Sequence, residues 1–227
     1  MPRLSETTWT DLSSQGRVFV AVPIGSLEQH GPHLPLGTDT AIAVALAERL
    51  AARRPDVLVA PPLAITASGE HAGFPGTLSI GSDVLANVLI ELVRSADWAA
   101  GVILVNGHGG NGPALSAAVK TLTYEGRNVL AWWPSAPDDP RSDAHAGWLE
   151  TSVLLHLQPD SVRLHEATAG DTRPLPAILD ELRKHSVRGV SSNGVLGDPT
   201  GATAEAGREV VDGWADELVR RCEAWAP

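Results

Sequence analysis

The sequence predicts a three-layer α/β/α fold built on a mainly parallel sheet. Short, continuous apolar runs recur at residues 18–24, 57–61, 102–106 and 129–133, each followed by a segment of helical period. Strands covered on both faces read as unbroken apolar runs, whereas strands with one wet face alternate, so these runs belong between layers of helix. Placement adds a second indication: the polar clusters of the chain fall directly after the apolar runs. Loops at the carboxyl ends of parallel strands share one crevice, where open α/β sheets bind ligands.

The run at 18–24 is the first strand, and residues 41–54 follow as a helix with Ile42, Leu46 and Leu50 on its buried stripe. Asp39 stands just before that helix, where an aspartate caps free backbone N–H groups. After the second strand, Ser82 or Asp83 is the expected N-cap of a helix whose apolar face is Val84, Val88, Leu92 and Val93. Leu115, Val119 and Leu122 mark the third helix, and residues 148–157 the fourth. Two last helices, 174–185 and 202–225, are joined by a loop rich in Gly, Ser, Asn and Pro. No repeat, low-complexity tract or long linker interrupts this order, so residues 1–227 are expected to form a single domain.

Composition narrows the function classes. The formal charge of −10 excludes nucleic acid as a general partner. The densest basic stretch, Arg183-Lys184-His185 with Arg188, follows an acidic segment and reads as a solvated face. Cys222 is the only cysteine, which rules out an internal disulfide and a CxxC zinc site and fits a cytoplasmic setting. The N-terminal residues carry no apolar core of a signal peptide, and no run of about 18 apolar residues occurs, so no membrane partner is expected.

The chemistry is concentrated in four segments. Glu28-Gln-His30-Gly-Pro-His33-Leu-Pro-Leu-Gly-Thr-Asp39 gathers carboxylates and imidazoles in one Gly/Pro-stiffened loop. That donor mixture suits a borderline divalent ion such as Zn, Fe(II) or Mn. Ser68-Gly-Glu70-His71-Ala-Gly-Phe-Pro-Gly-Thr77 follows the second strand and Asn106-Gly-His108-Gly-Gly-Asn111 the third. His145-Ala-Gly-Trp-Leu-Glu150-Thr-Ser152 opens the fourth helix, where Glu150 can serve as ligand or base and His145 as a proton shuttle. Against those roles, Glu150 would also complement the helix dipole, and His156, His165 and His185 read as structural or solvated. Gly107–Gly112 has the form of a dinucleotide fingerprint, but no acidic residue ends the next strand to hold a ribose. A second use of those glycines is to let His108 approach a metal, with backbone N–H groups free for an oxyanion.

Together these four segments resemble the creatininase (creatinine amidohydrolase) family, in the same order, over about residues 5 to 225. The resemblance implies a creatininase-like fold and a dinuclear hydrolase of C–N bonds, its two divalent ions being Zn, Fe(II) or Mn, which activate water. By position, Glu28, Asp39 and His108 would hold one ion, and His30, Asp39 and a further carboxylate the other. Creatininase itself has a glutamate ligand where this chain has Gly110, so Glu150 is expected to supply that carboxylate. The leaving nitrogen is expected to take its proton from His145, with Glu70 or His71 as the next choice. In general texture and length the chain resembles the members of the family that trim a modified precursor peptide, and that resemblance implies release of a terminal Val-Tyr dipeptide. Trp132, Trp133 and Trp148 would then line the site, with simple core packing an equally good use of them. A homo-oligomer is also implied, with Asp138-Asp139-Pro140-Arg141 as an exposed loop able to reach a neighbour. Two rival readings are an amidohydrolase of a small cyclic amide or formamide, and a nucleotide-binding module without metal.

Overall fold

A computed structural model describes residues 3–226 of the chain; Met1, Pro2 and Pro227 lie outside the described residues. The four strands are β1 (Phe19–Ile24), β2 (Val57–Val59), β3 (Gly101–Asn106) and β4 (Val129–Trp132). They form one sheet in the order β2-β1-β3-β4, and every pairing is parallel. Register runs from Phe19 opposite both Val57 and Gly101 to Val105 opposite Trp132. Pro23 is tolerated in the central strand because β2 pairs only with Phe19–Ala21, so the missing N–H faces beyond the end of that ladder.

The helices are α1 (Trp9–Ser14), α2 (Thr38–Arg53), α3 (Ser82–Ser95), α4 (Gly112–Tyr124), α5 (Trp148–Leu157), α6 (Leu175–Val190) and α7 (Ala204–Trp225). Odd and even positions of the strands sort them into two layers. Phe19, Ala21, Ile103 and Val105 pack with Leu46 and Leu50 of α2, Val153 of α5 and Leu218 of α7. Val20, Val22, Val102 and Leu104 pack on the opposite face with Leu85 and Leu89 of α3 and Leu115 and Leu122 of α4. The three-layer expectation is thus met, with the missed α1 held by a capping box between Thr8 and Asp11. No described helix is long and apolar enough to cross a membrane.

Three local expectations are corrected. Asp39 does not cap α2: Gly37 holds that position, which leaves the Asp39 carboxylate free to point elsewhere. Gly81 likewise precedes α3, so neither Ser82 nor Asp83 is its N-cap. The buried stripe of α3 is Leu85, Leu89 and Val93, while Val84 and Val88 are exposed. Two apolar stripes lie side by side on this helix, and packing against α4 selects the leucine one. The helix expected over 174–185 does end there, since Ser186 (φ 60°) breaks α6 before a last separate turn.

Leu89→Ala is therefore expected to cost about 2–5 kcal/mol through the cavity it opens. Val84→Ala should stay within about 0.5 kcal/mol of the parent. Urea unfolding of the two variants reads the difference, and equal losses would place the wrong face of α3 in the core.

Candidate metal centre

All four strand-end loops enter one cluster. The loop after β1 brings Glu28 and His30, and the first turn of α2 brings Asp39. The loop after β2 brings Glu70 and His71, the turn after β3 brings His108, and the segment after β4 brings His145 and Glu150. Asn111 ties three of these loops together. Its Nδ2 donates to Gly25 O and Asn106 Oδ1, each at 3.0 Å, and its Oδ1 accepts from Ala67 N at 3.2 Å. Gly107 allows the third loop to touch the first, since a Cβ there would lie 2.4 Å from Asp39 O. Asp143 shapes the fourth by accepting the Trp148 and Leu149 N–H groups at the start of α5. Ala146, at φ 54°, then turns its N–H onto Glu150 Oε2 at 2.7 Å.

Asp39 is the hinge of the cluster. Its Oδ1 lies 3.1 Å from His30 Nε2 and its Oδ2 3.0 Å from His108 Nδ1, while Ser26 Oγ donates to Oδ2 at 2.7 Å. His30 Nε2 is also 3.7 Å from Glu150 Oε2. Glu28 spans His71 Nε2 at 3.1 Å and His108 Nε2 at 3.2 Å. His145 Nδ1 is 3.8 Å from Glu28 and 3.9 Å from Glu150. Among the described residues, three groups have atoms close enough to share an ion: Glu28–Asp39–His108, His30–His145–Glu150 and Glu28–His71–His145. The first is the set expected from the sequence, and in the second His145 joins the expected His30 and Glu150.

The protonation pattern suits a cation. His30 Nδ1 faces Glu28 O at 3.1 Å, His108 Nε2 faces Ala67 O at 3.0 Å and His145 Nε2 faces Gln29 O at 2.8 Å. Carbonyl oxygens only accept, so each of these nitrogens carries the proton and the other ring nitrogen of a neutral imidazole presents a lone pair. Those lone pairs face carboxylate oxygens, of Asp39 for His30 and His108 and of Glu28 and Glu150 for His145. Lone pairs facing lone pairs in a buried site is an arrangement that a metal ion resolves, and ring N–H groups anchored on carbonyls are how ligating histidines are held. The residues therefore fit divalent ions bound through N and O.

Without such an ion, protons must supply the positive charge. Burial raises Glu28 to about 8, helped by the neighbouring Asp39 charge. Burial opposes charge on His30, yet the Asp39, Glu150 and Glu28 carboxylates lift it to about 9. His108 is raised against the same burial by Asp39, Glu70 and Glu28. Asp39, although buried, is held well below the usual carboxylate range by His30 and His108. Burial moves Glu150 up to about 7 and takes His71 down to about 4.

Gly110 stands at the edge of this cluster. A Cβ there would lie 2.0 Å from Glu70 Oε1 and 2.4 Å from His108 Nε2, so the space of a side chain at 110 is filled by Glu70. His33 falls outside the three groups; it is buried with its Nε2 on Thr151 Oγ1 at 2.9 Å. Trp132 and Trp148 are buried, the exposed Arg141 placing its guanidinium 4.1 Å from the Trp148 ring centroid, and Trp133 is exposed. His165 and His185 lie at the surface as expected, and His156 contacts Arg49 at 3.2 Å. Sequence reasoning missed Ser26, Gln29 and Asp143. Gln29, buried between two site residues in the chain, had a signal in its position within the Glu-Gln-His run; the other two had none.

The creatinine amidohydrolase family profile matches residues 5–222, which is nearly the whole chain. The chain belongs to the creatininase family. The mycofactocin precursor peptide peptidase of Mycolicibacterium smegmatis is 51% identical over 220 residues, spanning 92% of this chain and 86% of that protein. The protein of the same name from Mycobacterium tuberculosis is 48% identical over 218 residues, with the same two shares. A solved tryptophan-to-phenylalanine variant of creatininase superimposes with a TM-score of 0.82 at 25% identity, covering 99% of both chains. The α/β architecture is thus that of creatininase.

Metal binding should release protons, because an ion competes with those held near neutral pH by His30 (about 9) and Glu28 (about 8). Affinity is therefore expected to climb with pH through that window and to level off above it. Calorimetric titration with zinc in buffers of different ionisation enthalpy counts the protons. Their absence near neutral pH would contradict the cluster's electrostatics.

Proposed function

We propose that this chain hydrolyses a peptide C–N bond near the C-terminus of a modified precursor peptide, releasing its terminal Val-Tyr dipeptide. The observation that carries the proposal is the 51% identity with a mycofactocin precursor peptide peptidase across 92% of the chain. Creatininase shares the fold at half that identity, and fold alone does not transfer substrate. The loss of a side chain at Gly110 also departs from creatininase itself.

In this proposal Glu28, Asp39 and His108 would hold one divalent ion, and His30, Asp39 and Glu150 the other. Zn and Fe(II) both suit the donors, and Mn is a further choice. Such ions supply an acidified water and a Lewis acid for the amide carbonyl. His145 accepts the proton of the attacking water at its bare Nδ1 and passes it to the leaving nitrogen, so that water is added across the C–N bond. Glu70, at the rim, is the next group able to hold that proton. The glycines of the Gly107–Gly112 turn serve close packing against Asp39, Glu70 and His108, which favours the hydrolase over a nucleotide-binding module. One catalytic domain, a cytoplasmic location and a homo-oligomer belong to the same proposal, the last being read by light scattering.

Two experiments test it. Mass spectrometry of a peptide carrying the modified Val-Tyr end should show loss of that dipeptide, whereas creatinine and small formamides should be turned over slowly or not at all. Faster turnover of a small cyclic amide than of the peptide would select the rival reading. Elemental analysis should find about two ions per chain in the parent. Asp39→Ala should abolish both the metal and the cleavage; retention of metal in that variant would remove Asp39 from the site.

A further inference from the structure

Gln29 is buried, and main-chain partners on both sides fix the orientation of its amide. Its Oε1 accepts the Gly31 N–H at 2.9 Å, and its Nε2 donates to Gly194 O at 3.0 Å. Exchanging O and N would set donor against donor and acceptor against acceptor. Gly194 makes this approach possible, since a Cβ there would lie 1.8 Å from Gln29 Oε1 on a backbone with φ of +82°. The second hydrogen of Gln29 Nε2 is left for His71 Nδ1, 2.9 Å away. His71 Nδ1 is then an acceptor, and the proton of the neutral ring sits on Nε2. That nitrogen faces into the cluster, 3.1 Å from Glu28 Oε1.

The same residue treats His145 in the opposite sense. The Gln29 carbonyl, 2.8 Å from His145 Nε2, takes that N–H and leaves Nδ1 bare toward the cluster. Gln29 Nε2 also comes within 3.1 Å of His145 Nε2, but the shorter distance to an obligate acceptor decides where the ring proton lies.

We propose that Gln29 is a positioning residue that makes His71 turn an N–H, rather than a lone pair, into the site beside Glu28. His71 is thereby excluded from metal binding and reserved for the carbonyl oxygen of the substrate. The Glu28–His71–His145 group satisfies the distances for an ion. It lacks a lone pair on the inward nitrogen of His71. As water adds to the amide carbonyl, the C=O π pair moves onto oxygen. A fixed N–H stabilises that charge by hydrogen bonding without giving up its proton. This use of His71 rests on the proposed hydrolysis, whereas its tautomer and its exclusion from metal binding do not.

The test is nitrogen NMR on the zinc-loaded protein labelled with 15N-histidine, alongside metal analysis. In the parent, His71 should show a bare Nδ1 and a protonated Nε2. Gln29→Glu, which offers only acceptors, should move the His71 proton to Nδ1 while His145 keeps its tautomer, because the main-chain carbonyl is unchanged. Gln29→Met, which adds no buried charge, should leave His71 as a mixture of tautomers. His71→Ala should keep the parent's metal content, which His108→Ala should lose, and should lower kcat by about 100-fold. A protonated Nδ1 in the parent, an unmoved tautomer in both Gln29 variants, or metal loss in His71→Ala would overturn the proposal. If the parent fails to cleave the peptide, the proposed reaction falls while the NMR and metal results still decide the role of Gln29.

Discussion

The structure turns on a buried meeting of carboxylates with the unprotonated faces of imidazoles. Asp39 is nearly inaccessible, lies about 3 Å from nitrogens of both His30 and His108, and is held in the ionised state. Burying such a group is tolerated only when positive charge faces it, and here protons or metal ions are the available sources. Backbone carbonyls take the outward N–H of His30 and His108, so their inward nitrogens are prepared for an ion rather than for a proton. Much of the surrounding backbone follows from that need. Asn111 staples three loops, Gly107 lets two of them touch, and Asp143 holds the turn from which Glu150 projects.

The sheet provides the convergence. In the order β2-β1-β3-β4 the connections leave β1 and β3 toward opposite faces, so their loops part and open a crevice. Asp39 and His108 come from those two neighbours and meet across it. The fold shared with creatininase accounts for the place of this cluster, and the loops decide what such a cluster can act on. At Gly110, Glu70 from the loop after β2 occupies the space where a side chain would begin.

The strands and the helices α2 to α7 were legible because burial on both faces writes unbroken apolar runs, and helix stripes repeat at three to four residues. Glu28, His30, Asp39 and His108 were legible as residue types crowded at strand ends. Less could be read where two solutions were locally equal. On α3, Val84–Val88 and Leu85–Leu89 are both adequate stripes, and only contact with α4 separates them. Asp39 has the sequence position of a cap, yet Gly37 takes that place and the carboxylate turns into the cluster. Trp132 and Trp148 were equally suited to a site or to a core, and three-dimensional packing placed both in the core. Gln29 was marked only by its place in the Glu-Gln-His run; its role could not be read, because its partners His71, His145 and Gly194 are far away in the chain.

The central claim is that metal ions complete this cluster. Anomalous scattering from crystals grown with the purified metal-bearing protein tests it most directly, with data on both sides of the zinc and iron absorption edges. The account predicts two peaks flanking Asp39, one toward His108 and Glu28 and the other toward His30 and Glu150. A peak coordinated by His71, or no peak beside Asp39 in protein never exposed to chelator, would contradict it.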